Sequence, residues 1–367
     1  MAQHPSFRTI SIIGVGLIGG SLGLAIRKQF PGIMIIGVDK PGVLRQALRR
    51  KAIHRAEPSL VTAVRKADLV ILATPVRAIR SLLPRIARAV QKHTLVTDVG
   101  SVKRSIVNEA RRWFPSGNFI GGHPMAGVEL SGIEAAHPLL FENVIYVLTP
   151  DERTSRTHLR RLVLLLRGLG ARLLRMSASQ HDAVAAAVSH LPQLVAVAIM
   201  NLAGKHHRDA KRYLRLAAGG FRDLTRIASS SFDLWSQILP ENRKEITRVL
   251  RLLETQLTLY RRHLQRGNLS AFAREFRSSR ALRREIPRDM KGFLHQLATL
   301  EVFVSDKPGM LARLTAALAK RGINIKDLEL MKVREGTGGT FRLSFESVEE
   351  KEKARNVLQQ RGFELGR

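Results

Sequence analysis

Residues 7–20, FRTISIIGVGLIGG, join a short β-branched apolar run to a glycine-rich turn. Gly14, Gly16 and Gly19 form the pattern GxGxxG directly after this predicted strand, and a helical pattern continues to about Gln29. The next apolar run, IMIIGVD at 33–39, ends on Asp39, twenty residues after Gly19. A glycine turn between a strand and a helix, followed at this distance by an acidic residue, predicts a dinucleotide-binding βαβ unit.

The residues of the glycine turn have separate expected tasks. Gly14 allows the tight turn, Gly16 lets the backbone approach a pyrophosphate, and Gly19 lets the helix pack closely on the strand. Asp39 is expected to accept hydrogen bonds from ribose hydroxyls and to repel a 2′-phosphate, which favours NAD over NADP, although the adjacent Lys40 works against that preference. The alternative is a glycine turn that binds no ligand. The other predicted cofactor contacts are Leu17, Ile18, Thr74 and Pro75.

Strands and helices alternate through the first half of the chain, which predicts a parallel sheet with helices on both faces. We assign residues 1–177 to this α/β Rossmann-type domain. Its remaining predicted strands are the apolar runs at 67–74, 94–100, 119–127, 142–150 and 171–177.

The hydrophobic period changes after that domain. The stretch SASQHDAVAAAVSHLPQLVAVAIMNLAG at 177–204 is almost wholly apolar and predicts a buried helix, which Pro192 should kink just after His190. Helical patterns continue to about residue 297, so residues 178–295 are predicted to form an all-α domain. Its apolar centre should be buried against a second copy of the chain, which predicts a homodimer.

Alternation returns at ATLEVFVSD, residues 298–306. A helix over 308–320, strands near 323–333 and 339–346, a helix over 348–360 and a last strand after Gly362 give the order β-α-β-β-α-β. This order predicts a ferredoxin-like module, and we assign it residues 296–367.

Composition limits the possible functions. The 367 residues suffice for two or three domains, and the absence of cysteine excludes disulfides, thiolate metal sites and cysteine nucleophiles; no metal is predicted. The chain has no run of eighteen uninterrupted apolar residues, so no membrane span is predicted and a cytoplasmic location is expected. The net charge of +31 suggests nucleic-acid binding, but the arginines are scattered and only 5% of residues are aromatic, which favours a general surface bias.

Three polar residues stand at predicted strand ends or on the apolar helix. His123 lies in the glycine-rich loop GGHPMAGVELSG, and Ser101 follows a glycine after TLVTDVG; both are at the carboxyl edge of the sheet, where ligands bind. His190 precedes Pro192 on the apolar helix, and its pattern alone favours an ordinary core histidine.

Five segments, in order, resemble the prephenate/arogenate dehydrogenase family: GVGLIGGS, TDVGSVK, GGHPMAGVELSGIEAA, SHLPQ and GGFRDLTRIA followed by Trp235. The resemblance covers nearly the whole chain. It implies NAD-dependent oxidative decarboxylation of prephenate to 4-hydroxyphenylpyruvate in tyrosine biosynthesis.

The resemblance also assigns roles to residues of these segments. His123 matches the catalytic base, Ser101 the serine that orients this histidine and the nicotinamide, and His190 a second active-site histidine. Val128 stands where some relatives carry a hydroxyl residue, which leaves arogenate open as the substrate. The implied substrate-binding residues are Arg226, which would pair with a carboxylate, Glu129, Gly220 and Trp235.

The C-terminal module resembles an ACT domain through its first strand, its DKPG turn and the segment GINI. ACT domains pair side by side and bind small amino acids, so the resemblance implies tyrosine as the effector, with ACT-mediated higher assembly possible. The alternative is a structural module without a ligand. The implied effector contacts are Asp306, Gly309, Asn324 and Ile325.

Two other classes of function compete with this interpretation. One is a nucleic-acid-binding protein that keeps a dehydrogenase fold, which the net charge of +31 suggests. The other is a sensor that binds NAD and tyrosine without catalysis, against which the intact Ser101, His123 and Arg226 argue.

Overall fold

The computed structural model describes residues 5–126, 130–205, 214–285, 297–334 and 338–366. These residues divide into two compact units, residues 1–276 and residues 277–367. The first unit holds the predicted α/β and helical segments together, and most of the second is the C-terminal module.

The first unit is built on an eight-stranded sheet with the order β3-β2-β1-β4-β5-β6-β7-β8. The strands are β1 (Thr9–Ile13), β2 (Met34–Val38), β3 (Arg55–Ala56), β4 (Leu69–Leu72), β5 (Leu95–Asp98), β6 (Phe119–Pro124), β7 (Ile145–Thr149) and β8 (Arg172–Arg175). The helices that alternate with them are α1 (Leu17–Gln29), α2 (Pro41–Arg49), α3 (Leu60–Arg65), α4 (Val76–Ala89), α5 (Arg104–Trp113) and α6 (Arg156–Gly168).

The sheet is parallel from β3 to β6 but not throughout. Strand β7 pairs antiparallel with β6, with His123 opposite Val147, and β8 runs parallel to β7. The sequence prediction of a wholly parallel sheet was therefore wrong at this edge. Between β6 and β7, the described residues 125–126 and 130–144 contain the 3₁₀ turn Ile133–Ala135 but no α-helix, whereas a parallel pair is usually joined by a helical crossover.

Two apolar cores lie on the two faces of the sheet. One packs α1, α2 and α6 against it through residues such as Leu22, Ile26 and Leu165, which are almost fully buried. The other packs α3, α4 and α5, and it includes Ile238 and Trp235 from the helical segment. The helical segment therefore shares a core with the sheet domain, which fixes its side chains relative to the sheet edge.

The helical segment consists of α7 (Ala178–Ala185), α8 (Leu191–Lys205), α9 (Gly219–Thr225), α10 (Phe232–Glu241), α11 (Arg243–Gln265) and α12 (Leu269–Glu285). A π-helical turn, Ala186–His190, joins α7 to α8, whose second residue is Pro192. Proline lacks an N–H and crowds the carbonyl four residues earlier, and the wider turn accommodates it. The helix is thus irregular up to His190, and a kink just after His190 stays a prediction.

The sequence predicted no membrane span, because no apolar run of eighteen residues is uninterrupted. By length and composition alone, the helix Ala178–Lys205 is nevertheless long and apolar enough to cross a membrane. However, His181, Asp182 and His190 lie on it, each about 2% exposed or less. These polar groups bond to other parts of the first unit, although only 28% of the apolar stretch is buried within the chain, contrary to the prediction of a buried helix.

The second unit contains the predicted βαββαβ order. Its elements are β9 (Ala298–Ser305), α13 (Met310–Ala319), β10 (Asp327–Arg334), β11 (Gly338–Phe345), α14 (Val348–Gln360) and β12 (Glu364–Leu365). The sheet has the order β10-β11-β9-β12, and both helices pack on the core that contains Leu314 and Leu358. The ferredoxin-like prediction is confirmed.

Candidate active site

The loops after β1, β2 and β4 meet at the carboxyl edge of the sheet. Gly14 has a φ of +93°, and a Cβ at this position would lie 2.6 Å from the carbonyl oxygen of Ala73. A Cβ at Gly19 would overlap the carbonyl oxygen of Gly14, whereas a Cβ at Gly16 would meet nothing within 4 Å. Gly14 and Gly19 are thus required by close packing, and Gly16 leaves open space beside the turn.

The polar groups around this space fit a dinucleotide. One carboxylate oxygen of Asp39 accepts the backbone N–H of Val15 at 2.7 Å, and the other accepts the N–H of Lys40 at 2.7 Å. The hydroxyl of Thr74 is buried and has no hydrogen-bond partner among the described residues. Asp39 would take the ribose hydroxyls with its remaining lone pairs, and Thr74 offers a free donor.

The other predicted cofactor residues lie at helix starts on the same edge. Leu17 and Ile18 are the first residues of α1, and Pro75 directly precedes α4. Free backbone N–H groups at the start of a helix attract phosphate oxygens. The arrangement can therefore hold NAD, with its pyrophosphate at the start of α1.

His123 lies near the end of β6 on this same edge and is half-buried. Its Nδ1 lies 2.8 Å from Nε2 of His181, and Nδ1 of His181 lies 2.8 Å from a carboxylate oxygen of Asp182. Burial, followed by repulsion from His181, Lys103 and His190, holds the pKa of His123 well below its ordinary value. The imidazole is therefore neutral near pH 7 and can accept a proton.

Asp182 connects this pair of histidines to the start of α5. Its two carboxylate oxygens accept the backbone N–H groups of Lys103 and Arg104 at 2.7 and 2.9 Å. Burial alone would raise the pKa of Asp182, but the hydrogen bonds from His181 and from these two N–H groups hold it below its ordinary value. Asp182 is therefore an ionised carboxylate and acts only as an acceptor.

His190 belongs to the same network through Asn242, the residue before α11. The side-chain amide of Asn242 donates to the backbone carbonyl of Asp182 at 2.8 Å and lies 3.2 Å from Nδ1 of His190. The ring of Trp235 meets His190 edge to face, with centroids 5.8 Å apart. His190 is thus a core residue by burial and also part of the polar site.

Beneath His123, a buried ion pair holds the ends of β5 and β6 together. Nζ of Lys103 bonds to the carboxylate of Asp98 and donates to the carbonyl of Gly122 at 2.8 Å. Asp98 also accepts the N–H groups of Gly100 and Gly122 at 2.8 and 3.2 Å. Gly122 precedes His123, so this pair fixes the backbone from which the histidine projects.

The segments around His190 and Arg226 are joined by one side chain. The amide of Gln193 donates to the carbonyl of Ile227 at 2.9 Å and so anchors the 3₁₀ turn Arg226–Ser229, on which Arg226 is exposed. Gly220 lies in the first turn of α9, where a Cβ would meet nothing within 4 Å. Protein packing therefore does not require a glycine at this position.

The remaining predicted residues lie apart from this network or outside the described residues. Ser101 is half-buried in the loop after β5, at the same sheet edge. The ring of His123 is hydrogen-bonded to His181. Glu129 and Val128 lie outside the described residues.

The predicted effector contacts divide between two ends of the C-terminal sheet. Strands β9 and β10 both pair antiparallel with β11 and so run parallel to each other. Asp306 and Gly309 follow β9, whereas Asn324 and Ile325 precede β10. Because β9 has eight residues, the two pairs are separated by roughly 25 Å along the strands. One chain thus does not bring them together.

Four residues of the site were missed by the sequence predictions: His181, Asp182, Asn242 and Lys103. The stretch 177–204 was assigned as a buried helix from its apolar pattern. The adjacent His-Asp pair on this helix was an overlooked signal, because buried polar groups need partners. Lys103 stands in the TDVGSVK segment, but its pairing with Asp98 is visible only once the loop is folded.

Protonation of His190 should make the fold sensitive to acid. Burial lowers the pKa of His190 to about 4 from its ordinary 6.5, against the opposing effect of Asp182. The unfolded chain therefore binds a proton at this residue below about pH 6.5, while the folded chain does so only near pH 4. We expect the free energy of unfolding to fall by up to about 3 kcal/mol between these two pH values.

Urea unfolding at pH 7.5, 6 and 4.5 measures this effect. The variant His190→Gln should show a smaller loss of stability over the range, and the exposed-site control His93→Gln should behave as the wild type. If the free energy of unfolding depends on pH equally in wild type and in His190→Gln, His190 is not the cause of the acid sensitivity.

A glycine turn that fits a dinucleotide and a neutral histidine on the same sheet edge define the class of this protein, an NAD-dependent dehydrogenase. Comparison with known proteins agrees with this class and identifies the family within it. The family described as "Prephenate dehydrogenase, nucleotide-binding domain" matches residues 22–175, its "dimerization domain" matches residues 177–278, and the ACT domain matches residues 298–362.

Individual relatives cover three quarters or more of the chain. Prephenate dehydrogenase of Bacillus subtilis is 37% identical over 96% of this chain and 96% of its own length. The crystal structure of prephenate dehydrogenase from A. aeolicus, in complex with hydroxyphenyl propionate and NAD+, is 29% identical with a TM-score of 0.71, over 77% of this chain and 99% of that one. Synechocystis arogenate dehydrogenase is 29% identical with a TM-score of 0.68, over 76% of this chain and 99% of that one. The chain belongs to the prephenate dehydrogenase family, with a C-terminal ACT domain.

Proposed function

We propose that this chain oxidises and decarboxylates prephenate to 4-hydroxyphenylpyruvate in tyrosine biosynthesis, with NAD as the hydride acceptor. The observation that carries the proposal is the neutral His123 at the end of β6, on the sheet edge that holds the glycine turn. The B. subtilis relative, named a prephenate dehydrogenase and matched over nearly its whole length, supports the same substrate. As a biosynthetic enzyme of this kind, the chain would act in the cytoplasm.

The reaction requires a base at the substrate hydroxyl. NAD, held by the glycine turn Gly14–Gly19 and Asp39, would supply the acceptor for the hydride at C4 of the cyclohexadiene ring. His123 accepts the proton of the 4-hydroxyl as its C–O bond becomes a carbonyl, which avoids a cationic oxygen. The ring carboxylate then leaves as carbon dioxide, its bonding electron pair makes the ring aromatic, and the resulting phenolate regains the proton from His123.

Other residues would hold the substrate, a dianion. Arg226 suits a carboxylate because its guanidinium forms two parallel hydrogen bonds. His190 and Trp235 would line the pocket, since they are in edge-to-face contact and the Trp235 N–H is buried without a partner among the described residues. We also keep Ser101, Glu129 and Gly220 as proposed site residues.

Arogenate is the second candidate substrate, because Synechocystis arogenate dehydrogenase shares the fold at 29% identity. The two substrates differ at the side chain, which carries an amino group in arogenate and a keto group in prephenate.

A spectrophotometric assay of NAD reduction tests the proposal. Prephenate and arogenate are compared at equal concentration, each with NAD and with NADP, and each with and without tyrosine. We expect the highest kcat/KM with prephenate and NAD. Reduction only with arogenate would replace the proposed substrate, and no reduction with either would reject the proposed function.

The preference for NAD should depend on Asp39. Its carboxylate would repel a 2′-phosphate and bind the ribose hydroxyls, so Asp39→Asn should lower kcat/KM for NAD by about 10-fold and reduce the ratio of NAD to NADP efficiency by more. The matched control is Lys40→Gln, which leaves the carboxylate in place and should change NAD efficiency by less than about 3-fold. An unchanged cofactor ratio in Asp39→Asn would contradict the assignment.

We propose that the protein is a homodimer through its helical segment. The matching family segment is described as a dimerization domain, and the helices expose large apolar side chains such as Val188, Leu202 and Leu252, each about 60% exposed. An apolar surface of this kind is usually covered by a partner. Light scattering should give a mass of about twice 40.9 kDa.

We propose tyrosine as the effector of the ACT domain. Gly309 has a φ of +85° and open space around it, which leaves the start of α13 accessible to a ligand. Because Asp306 and Gly309 lie at one end of the sheet and Asn324 and Ile325 at the other, a single site using all four requires two modules side by side. Tyrosine should inhibit the wild type but not Asn324→Ala, whose basal activity should be unchanged.

A further inference from the structure

We propose that His181 and Asp182 are positioning residues that fix the ring tautomer of His123, with the proton on Nδ1 and a bare Nε2 facing the substrate hydroxyl. The inference rests on the proposed role of His123 as the base. Neither His181 nor Asp182 contributes a group to the proposed reaction itself; they act through His123.

Asp182 is a hydrogen-bond acceptor for His181. Its carboxylate accepts two backbone N–H groups, from Lys103 and Arg104, and its pKa is lowered. An ionised carboxylate only accepts hydrogen bonds, so the nitrogen of His181 that lies 2.8 Å from it must carry a hydrogen. Asp182 therefore places a proton on Nδ1 of His181.

A neutral imidazole has one donor and one acceptor nitrogen. With its proton on Nδ1, His181 presents a bare Nε2 to His123. Nδ1 of His123, 2.8 Å away, must then be the donor. The remaining nitrogen of His123, Nε2, is left without a proton, which is the form that a general base needs.

The network of His123, His181 and Asp182 is held rigidly. His181 and Asp182 are 2% and 1% exposed, and the rings of His123 and His181 meet at 69° with centroids 5.0 Å apart. Helix α7 begins with a reciprocal capping box between Ser177 and Gln180, which fixes the turn that carries both residues. A buried dipeptide anchored in this way can hold one orientation of the His123 ring.

The tautomer can be read directly in the full-length protein labelled with ¹⁵N at histidine. A long-range ¹H–¹⁵N spectrum at pH 7.5 distinguishes a protonated from a bare ring nitrogen, and His123→Asn identifies the His123 signals by their loss. We expect a protonated Nδ1 and a bare Nε2 on His123. A proton on Nε2 of His123 instead, or a doubly protonated His181, would overturn the inference.

Two variants of His181 separate positioning from simple packing. His181→Leu fills the space but removes the acceptor, and it should lower kcat by about 10-fold or more with KM for prephenate changed by less than about 3-fold. His181→Gln offers an amide oxygen to Nδ1 of His123 and should keep kcat within about 3-fold of wild type. Equal losses in both, with an unchanged His123 tautomer in each, would show a packing role and reject the inference.

The outcomes for the two proposals are distinguishable. Near-normal turnover of His123→Asn would reject the base while the wild-type spectrum still reported the tautomer. The opposite tautomer in the wild type would reject the inference even if His123→Asn were inactive. Thermal unfolding of each variant shows whether it folds, and should His181→Leu not fold, the wild-type spectrum decides.

Discussion

His123→Asn is expected to lower kcat with prephenate by about 10²- to 10⁴-fold, the usual contribution of a general base. Asparagine can place its amide near the position of Nδ1 and keep the contact with His181, which is 2.8 Å in the wild type. It has no counterpart of Nε2, so the proton of the substrate hydroxyl loses its acceptor. Because the glycine turn and Asp39 are untouched, the dissociation constant of NAD should change by less than about 3-fold.

Steady-state NADH formation measures the loss, and calorimetric titration with NAD measures the retained binding. The matched control is His93→Asn, a substitution of an exposed histidine away from the sheet edge, which should leave both quantities unchanged. Turnover of His123→Asn within about 3-fold of wild type would show that another group accepts the proton. A loss of NAD affinity as large as the loss of kcat would show instead that the substitution had disrupted the structure around residue 123.

The sequence was sufficient where function depends on local pattern. Gly14 and Gly19 were predicted from spacing alone, and the structure gives the reason, because a Cβ at either position would collide with backbone atoms. The position of His123 at the end of a strand was also predicted from the local sequence pattern. Pro192 indicated an irregular helix, since proline cannot join the regular hydrogen-bond pattern, and the structure places the irregular turn at Ala186–His190.

The sequence was insufficient where partners come from distant parts of the chain. His123 and His181 are 58 residues apart, and Asp182 and the backbone of Lys103 are 79 apart. An apolar helix pattern cannot show which of its polar residues are paired. The direction of β7 was also missed, because apolar strand patterns are the same in parallel and antiparallel sheets once both faces are buried.

Removal of the buried charge of Lys103 should destabilise the protein by about 3–5 kcal/mol. Lys103 and Asp98 are both fully buried, and burial lowers the pKa of Lys103 although Asp98 and Asp182 oppose the shift. Lys103→Met keeps the apolar length of the side chain but leaves the Asp98 carboxylate without its counter-charge. It also removes the donor to the carbonyl of Gly122, beside His123.

A double-mutant cycle in urea separates the charge from the packing. Asp98→Asn combined with Lys103→Met removes both charges, so it should be more stable than Lys103→Met alone by at least about 1 kcal/mol. Arg112→Ala, which breaks an ion pair at 3.6 Å between the exposed Arg112 and the half-buried Glu109, should cost at most about 1 kcal/mol. If Lys103→Met costs no more than Arg112→Ala, the buried pair does not hold the strand ends, and the alignment of His123 must depend on the network of His181 and Asp182 alone.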